Sequence, residues 1–170
     1  MGDKEETALM VGSGSGQPTG VTVDAEVGKT SASPTAITAD EIIDLVHSLG
    51  RSYRKRAVFM MADNTLLLLR KLKNTDGDYI FQESLKAGEP STLLGRPIHI
   101  SDSMPAATAG LKSILFSDLS YYWLADRTGR YFQELRERYA ELGQIGYKAN
   151  QRVDGKLILP EAVQVLQMHA

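Results

Sequence analysis

Cysteine is absent from the chain, which removes disulfides, thiolate nucleophiles and thiolate metal sites together. No apolar run approaches the roughly 20 residues that cross a bilayer. The amino terminus, Met1-Gly2-Asp3-Lys4-Glu5-Glu6, is acidic and has no hydrophobic signal core. Charge of one sign is not in excess either: 19 Lys and Arg against 21 Asp and Glu leave a net charge of −2. No global field therefore recruits nucleic acid or an anionic membrane, and the chain is expected to be soluble and unexported.

Assembled catalytic and ligand-binding motifs are missing as well. Gly28-Lys29-Thr30 lacks the glycine five residues earlier that a phosphate loop needs, Val23 standing there. Gly12-Ser13-Gly14 has neither the strand before it nor the helix after it that a dinucleotide fingerprint requires. Asn74-Thr75-Asp76-Gly77-Asp78 offers oxygens at calcium-like spacing, but Tyr79 occupies the glycine position and Leu85 the acidic twelfth. His47, His99 and His169 show no ligand spacing. Glu134, Glu137 and Glu141 interleave with Arg136 and Arg138 as a solvated face. No enzyme activity, cofactor or metal is expected.

What is present is a chain of 170 residues, 42% apolar, enough for one packed domain with an appendage. Residues 1–36 are rich in Gly, Ser and Pro and read as a flexible tail, with Val21-Thr22-Val23 a fragment of strand. Thr38-Ala39-Asp40-Glu41 fits a capping box, with Ile37 and Ile42 placed for a hydrophobic staple. Ile42, Leu45, Val46 and Leu49 then recur at helical spacing, and Gly50 suits the left-handed terminator. Arg51, Arg54, Lys55 and Arg56 surround Tyr53. They read as a solvated helix end, with a phosphate-binding patch as the sharper alternative.

Ala57–Met61 is a buried central strand by composition, and Asp63 can cap a following helix with Leu66, Leu69 and Leu72 on one face. Asp76-Gly77 predicts a turn. Gln82–Thr92 has no periodicity and reads as an exposed loop, of a length that usually serves a function. Strands are expected at 96–101, with Pro97 marking an edge or a start, and at 113–116 and 121–125. Asp126-Arg127-Thr128-Gly129 should turn the chain. Tyr131, Phe132, Leu135, Tyr139 and Leu142 recur at helical spacing up to Gly143. Residues 144–153 alternate as a strand, Asp154-Gly155 suits a hairpin turn into 156–159, and Val163 and Val165 belong to a last half-buried strand.

Several pieces resemble the central part of the major capsid protein of tailed bacteriophages, the Hong Kong 97 type. They are Arg56-Ala57-Val58-Phe59-Met60-Met61, Leu69-Arg70-Lys71-Leu72-Lys73, Asp76-Gly77-Asp78-Tyr79 and Leu93-Leu94-Gly95-Arg96-Pro97-Ile98, in that order. The resemblance runs from about Gly12 and covers the C-terminal half of a complete family member. It implies an α+β fold, with an axial domain at 37–141 and a β-rich peripheral domain drawing on 1–36 and 142–170. It also implies an extended segment near 130–136, against the helical periodicity, and we follow it there. The implied function is structural: self-assembly into hexamers and pentamers of an icosahedral phage head around double-stranded DNA. Scaffolding protein, portal and packaged DNA are the further partners, the virion is the location, and assembly takes place in the host cytoplasm. An encapsulin-like compartment shell and a small ligand-binding or enzymatic domain are the alternatives. Gln82, Glu83, Lys86, Glu89 and Arg152 are the candidate subunit contacts. The arm and extended loop that interlock family members have no counterpart before Gly12, so a truncated chain, small oligomers and no lysine–asparagine crosslink are expected.

Overall fold

The computed structural model describes residues 3–73, 92–135, 137–138 and 140–170. Among the described residues, five helices, α1 (Asp3–Val11), α2 (Val21–Asp24), α3 (Ala39–Ser48), α4 (Arg51–Arg54) and α5 (Asp63–Arg70), accompany eight strands. These are β1 (Glu26–Thr30), β2 (Val58–Met61), β3 (Thr92–Leu93), β4 (Arg96–Ile100), β5 (Lys112–Ser117), β6 (Tyr122–Leu135), β7 (Gly146–Leu157) and β8 (Val163–Gln167). Six of them form a mixed sheet in the order β1-β8-β5-β2-β4-β3, and β6 and β7 pair separately as a ribbon. The α+β class follows.

The six-stranded sheet is covered on both faces. On one, α3 and α5 bring Ile42, Leu45, Leu66 and Leu69 against Phe59, Ile98, Ile114, Phe116 and Leu166. Phe59 and Phe116 stand directly opposite on antiparallel strands, with ring centroids 4.5 Å apart. On the other face Val21, Ala25, Met104 and Leu157 cover Leu115, Val163 and Val165. Double coverage explains why β2 and β5 read as unbroken apolar runs rather than alternating ones. β8 lies between β1 and β5 with Val163, Val165 and Leu166 fully buried, so it is a central strand and not half-buried.

Thr38 caps α3 as expected. Its hydroxyl accepts from the Glu41 amide, and the Glu41 carboxylate accepts from the Thr38 amide at 2.8 Å. Glu41 also accepts from the Ala32 amide at 2.6 Å, which ties the preceding loop to the helix start. Gly50 does not terminate α3 in the left-handed region: its φ is −55, and it opens α4. Arg54 instead satisfies the end of α3, donating from Nε to the Leu49 carbonyl and from Nη2 to the His47 carbonyl, each at 2.6 Å. Asp63 is the first residue of α5 rather than its cap, a position Ala62 holds.

Residues 3–36 are structured rather than a loose tail. Gly20 donates to the Gly12 carbonyl at 2.8 Å, closing the Gly-rich loop, and Val21-Thr22-Val23 begins a helical turn instead of a strand. β1 then pairs in parallel with β8. Gly28 is required there because a Cβ would collide with the Ser48 hydroxyl and approach the Gln164 side chain. The glycine next to Lys29 thus serves strand–helix packing. β1 and β8 lie outside the expected 37–141 segment, yet both join its sheet.

Candidate assembly surfaces

The ribbon departs most from the sequence expectation. Asp126-Arg127-Thr128-Gly129 does not reverse the chain. β6 runs through it with a bulge between Arg127 and Tyr131, and Gly129 supplies the positive φ of +54. Asp154-Gly155 is likewise no hairpin turn. Gly155 faces Leu124 across the ladder, and a Cβ on it would lie 2.5 Å from the Tyr122 hydroxyl, so glycine serves close approach. The extended segment at 130–136 is present as far as Leu135, against the helical spacing of Tyr131, Phe132 and Leu135. A short 3₁₀ turn, Ala140–Leu142, and Gly143 at φ +63 precede β7.

The base of the ribbon is anchored to the sheet unit. Thr19 donates to the Gly155 carbonyl at 2.9 Å, and the Tyr122 hydroxyl donates to the Thr19 carbonyl at 2.7 Å. Burial, with the negative charges of Asp154 and Asp24 adding to it, pushes the Tyr122 phenol above its ordinary value. Lys112 bonds the Thr22, Val23 and Ala25 carbonyls, pinning the end of α2. Burial lowers its ionisation, and Asp24 opposes the shift.

From that base outward the ribbon exposes large apolar side chains. Trp123 is 65%, Phe132 67% and Tyr147 74% exposed. The register puts Phe132 opposite Ala149 and Glu134 opposite Tyr147, so Phe132 and Tyr147 are diagonal neighbours on one face. Tyr131, one residue along, lies on the other face and is also exposed. Arg152 stands directly opposite Arg127. Two like charges in register repel, and both are exposed. The alternation at Tyr147 and Ala149 signalled the strand, but the helical spacing of 131–142 hid its partner.

Of the other sequence candidates, Gln82, Glu83, Lys86 and Glu89 lie outside the described residues, as do the 74–78 turn and most of the 82–92 loop. Arg152 is therefore the expected contact residue whose setting is described. Lys29, once considered for a phosphate loop, pairs with Asp44 at 2.6 Å on the surface; this bond and the charge of Asp44 raise its ionisation. The Tyr53 hydroxyl donates to Glu161 at 2.8 Å, which raises the Tyr53 phenol. Tyr53 also meets Tyr121 edge-on at 5.5 Å. These ionisation shifts all come from local structural contacts. Among the described residues no group of three or more His, Asp or Glu could hold a metal ion, and no helix is long and apolar enough to cross a membrane.

A family model for the phage capsid family matches residues 1–168. The chain belongs to the phage capsid family. Among solved structures it is similar to the capsid of a native GTA particle computed with C5 symmetry, at 28% identity and a TM-score of 0.86, over 99% of this chain and 61% of that one. The capsid of the empty GTA particle gives 28% identity and 0.85, over 98% and 62%. A Gordonia phage Cozz chain shares the fold at 11% identity and a TM-score of 0.68, over 99% and 59%. This capsid chain thus spans about three-fifths of the length of those structures. No curated protein matches it. Membership of the family implies a structural, non-enzymatic role in the virion.

Proposed function

We propose that this capsid chain is a shell subunit whose six-stranded sheet carries folding and whose β6–β7 ribbon carries contacts with further copies. The exposure of Phe132 and Tyr147, diagonal neighbours on one face of a two-stranded ribbon, carries this reading. A two-stranded hairpin is marginally stable by itself, and contiguous exposed apolar surface marks an interaction site. The partner proposed is a second copy, in keeping with the phage capsid family and with the similar GTA capsids computed with C5 symmetry. Ring formation into pentamers and hexamers, closure into an icosahedral head around DNA, scaffolding and portal contacts, and assembly in the host cytoplasm belong to the same proposal. No observation favours a compartment shell or a small enzymatic domain.

The domain division belongs to it too, though the two sheets support a different boundary from the linear one. The axial unit would hold the six-stranded sheet with α3, α4 and α5. The peripheral unit would hold the ribbon with α1 and the 12–20 loop. Arg152, set against Arg127, is proposed as a contact that an acidic group of a neighbouring copy neutralises. Gln82, Glu83, Lys86 and Glu89 are proposed contacts near the capsomer axis. Sedimentation from micromolar concentration upward tests the reading. Wild type should associate as concentration rises, Phe132→Asp/Tyr147→Asp should stay monomeric and folded, and deletion of 84–90 should fold but associate less. Equal association by wild type and the ribbon variant would refute the ribbon's role.

A further inference from the structure

The sheet has a strongly basic end. α4 and the turn after it, Arg51 to Arg56, lead directly into β2, and Arg96 begins the parallel neighbour β4. Arg96 Nη1 donates to the Lys55 carbonyl at 2.8 Å, which places the two cations together. Only Ala62 separates β2 from α5, and Leu66 and Leu69 pack in the same cluster as Phe59 and Met61.

Arg51, Lys55 and Arg56 are exposed, and Arg96 is half-buried. Among the described residues none of these forms an ion pair, in contrast to Lys29 with Asp44. Asp63, the sole acid between Arg51 and Lys73, sits at the other end of β2. Glu161 borders the patch, where it accepts from Tyr53. A chain of net charge −2 thus gathers cations with no ion-pair partner among the described residues at one place, which concentrates a positive potential locally.

We propose that this end of the sheet, framed by Arg51, Lys55, Arg56 and Arg96, binds the phosphate backbone of nucleic acid. The side chains exposed between Arg51 and Arg56 are Arg51, Ser52, Lys55 and Arg56. That stretch has no exposed apolar anchor of the kind that dominates protein–protein contacts. Long cations without an apolar centre suit a phosphate backbone, which takes Arg as a planar fork and Lys as a point charge. With few groups placed to read base edges, binding should be independent of sequence and should weaken steeply with salt. Arg54 takes no part, because its guanidinium is occupied at the end of α3. The inference does not depend on the role of the ribbon.

The test is fluorescence anisotropy of short labelled DNA duplexes of two unrelated sequences, with the full chain, between about 50 and 200 mM salt. Both duplexes should bind alike. Replacing Arg51→Gln, Lys55→Gln and Arg56→Gln should flatten the slope of log affinity against log salt by about 2.7, near 0.9 per lost phosphate contact. Lys55→Gln/Arg56→Gln, which leaves α4 intact, should flatten it by about 1.8. Lys148→Gln/Lys156→Gln on the ribbon should leave it unchanged. Three outcomes overturn the proposal: no binding at low salt, equal loss from the ribbon variant, or tighter binding of polyglutamate than of DNA, which would assign the patch to an acidic protein.

Discussion

The six-stranded sheet and the two-stranded ribbon solve the same physical problem differently. In the sheet each inward-facing side chain finds a cover within the chain. Phe59, Phe116, Leu45 and Leu166 are wholly buried, and helices or short segments close both faces. The ribbon is longer than any strand of the sheet, with β6 covering 14 residues. Yet Leu157, at its base, is its buried large apolar side chain among the described residues, while Trp123, Leu124, Tyr131, Phe132 and Tyr147 are exposed. The difference teaches that burial within the chain accounts for the sheet but not for the outer ribbon. The ribbon's hydrogen-bond ladder holds its shape, while its aromatic surface remains available to another molecule.

Paired substitutions give the largest expected contrast. Phe116→Ala should cost about 3–5 kcal/mol in chemical denaturation, since it removes a fully buried ring stacked on Phe59. Phe132→Ala, at an exposed ring, should change the stability of the dilute chain by no more than about 0.5 kcal/mol. Similar losses at both sites would show that the ribbon is part of the folded core.

A smaller effect is expected where the two regions meet. Tyr122→Phe removes the hydrogen bond to the Thr19 carbonyl and should cost about 1 kcal/mol. Burial of the same phenol, with Asp154 and Asp24 adding to it, predicts a pH dependence. The phenol ionises above its unfolded value of 10.0, so its contribution is fully present below pH 10.0 and is lost as pH rises through the folded value. Tyr53, held by Glu161, behaves alike. Phenolate absorbance should therefore rise later with pH in the folded chain than in urea, and Tyr122→Phe should reduce that lag. The smallest effect belongs to Arg152→Ala. Relief of the facing Arg127 should stabilise the dilute chain by a few tenths of a kcal/mol, while association weakens, as sedimentation would record.

Much of the sheet unit was legible because its signals are local. Thr38 and Glu41 announce a helix start by hydroxyl and carboxylate chemistry alone, and the apolar run from Ala57 to Met61 has the composition of a strand buried on both sides. The segment before α3 was misread because its glycines resemble a linker. Gly12 and Gly20 close a hydrogen-bonded loop, and Gly28 makes room for Ser48, roles that depend on residues distant in sequence. The same cause defeated the Asp154-Gly155 turn expectation in the ribbon, whereas Gly129 serves a bulge at positive φ. Asp-Gly is a turn signal when nothing else needs the space, whereas Gly155 lies beneath Tyr122. Of the candidate contacts, Arg152 gained physical meaning only from its register opposite Arg127, which sequence spacing does not encode.

The division of labour between sheet and ribbon is tested most directly by amide hydrogen exchange on the dilute chain and on its associated form. Amides of β2, β5 and β8 should exchange slowly in both, because they open only with global unfolding. Amides of β6 and β7 beyond the bulge at Arg127–Tyr131 should exchange rapidly in the dilute chain and become protected on association. Protection of the outer ribbon equal to that of β5 in the dilute chain, or no gain on association, would contradict the account.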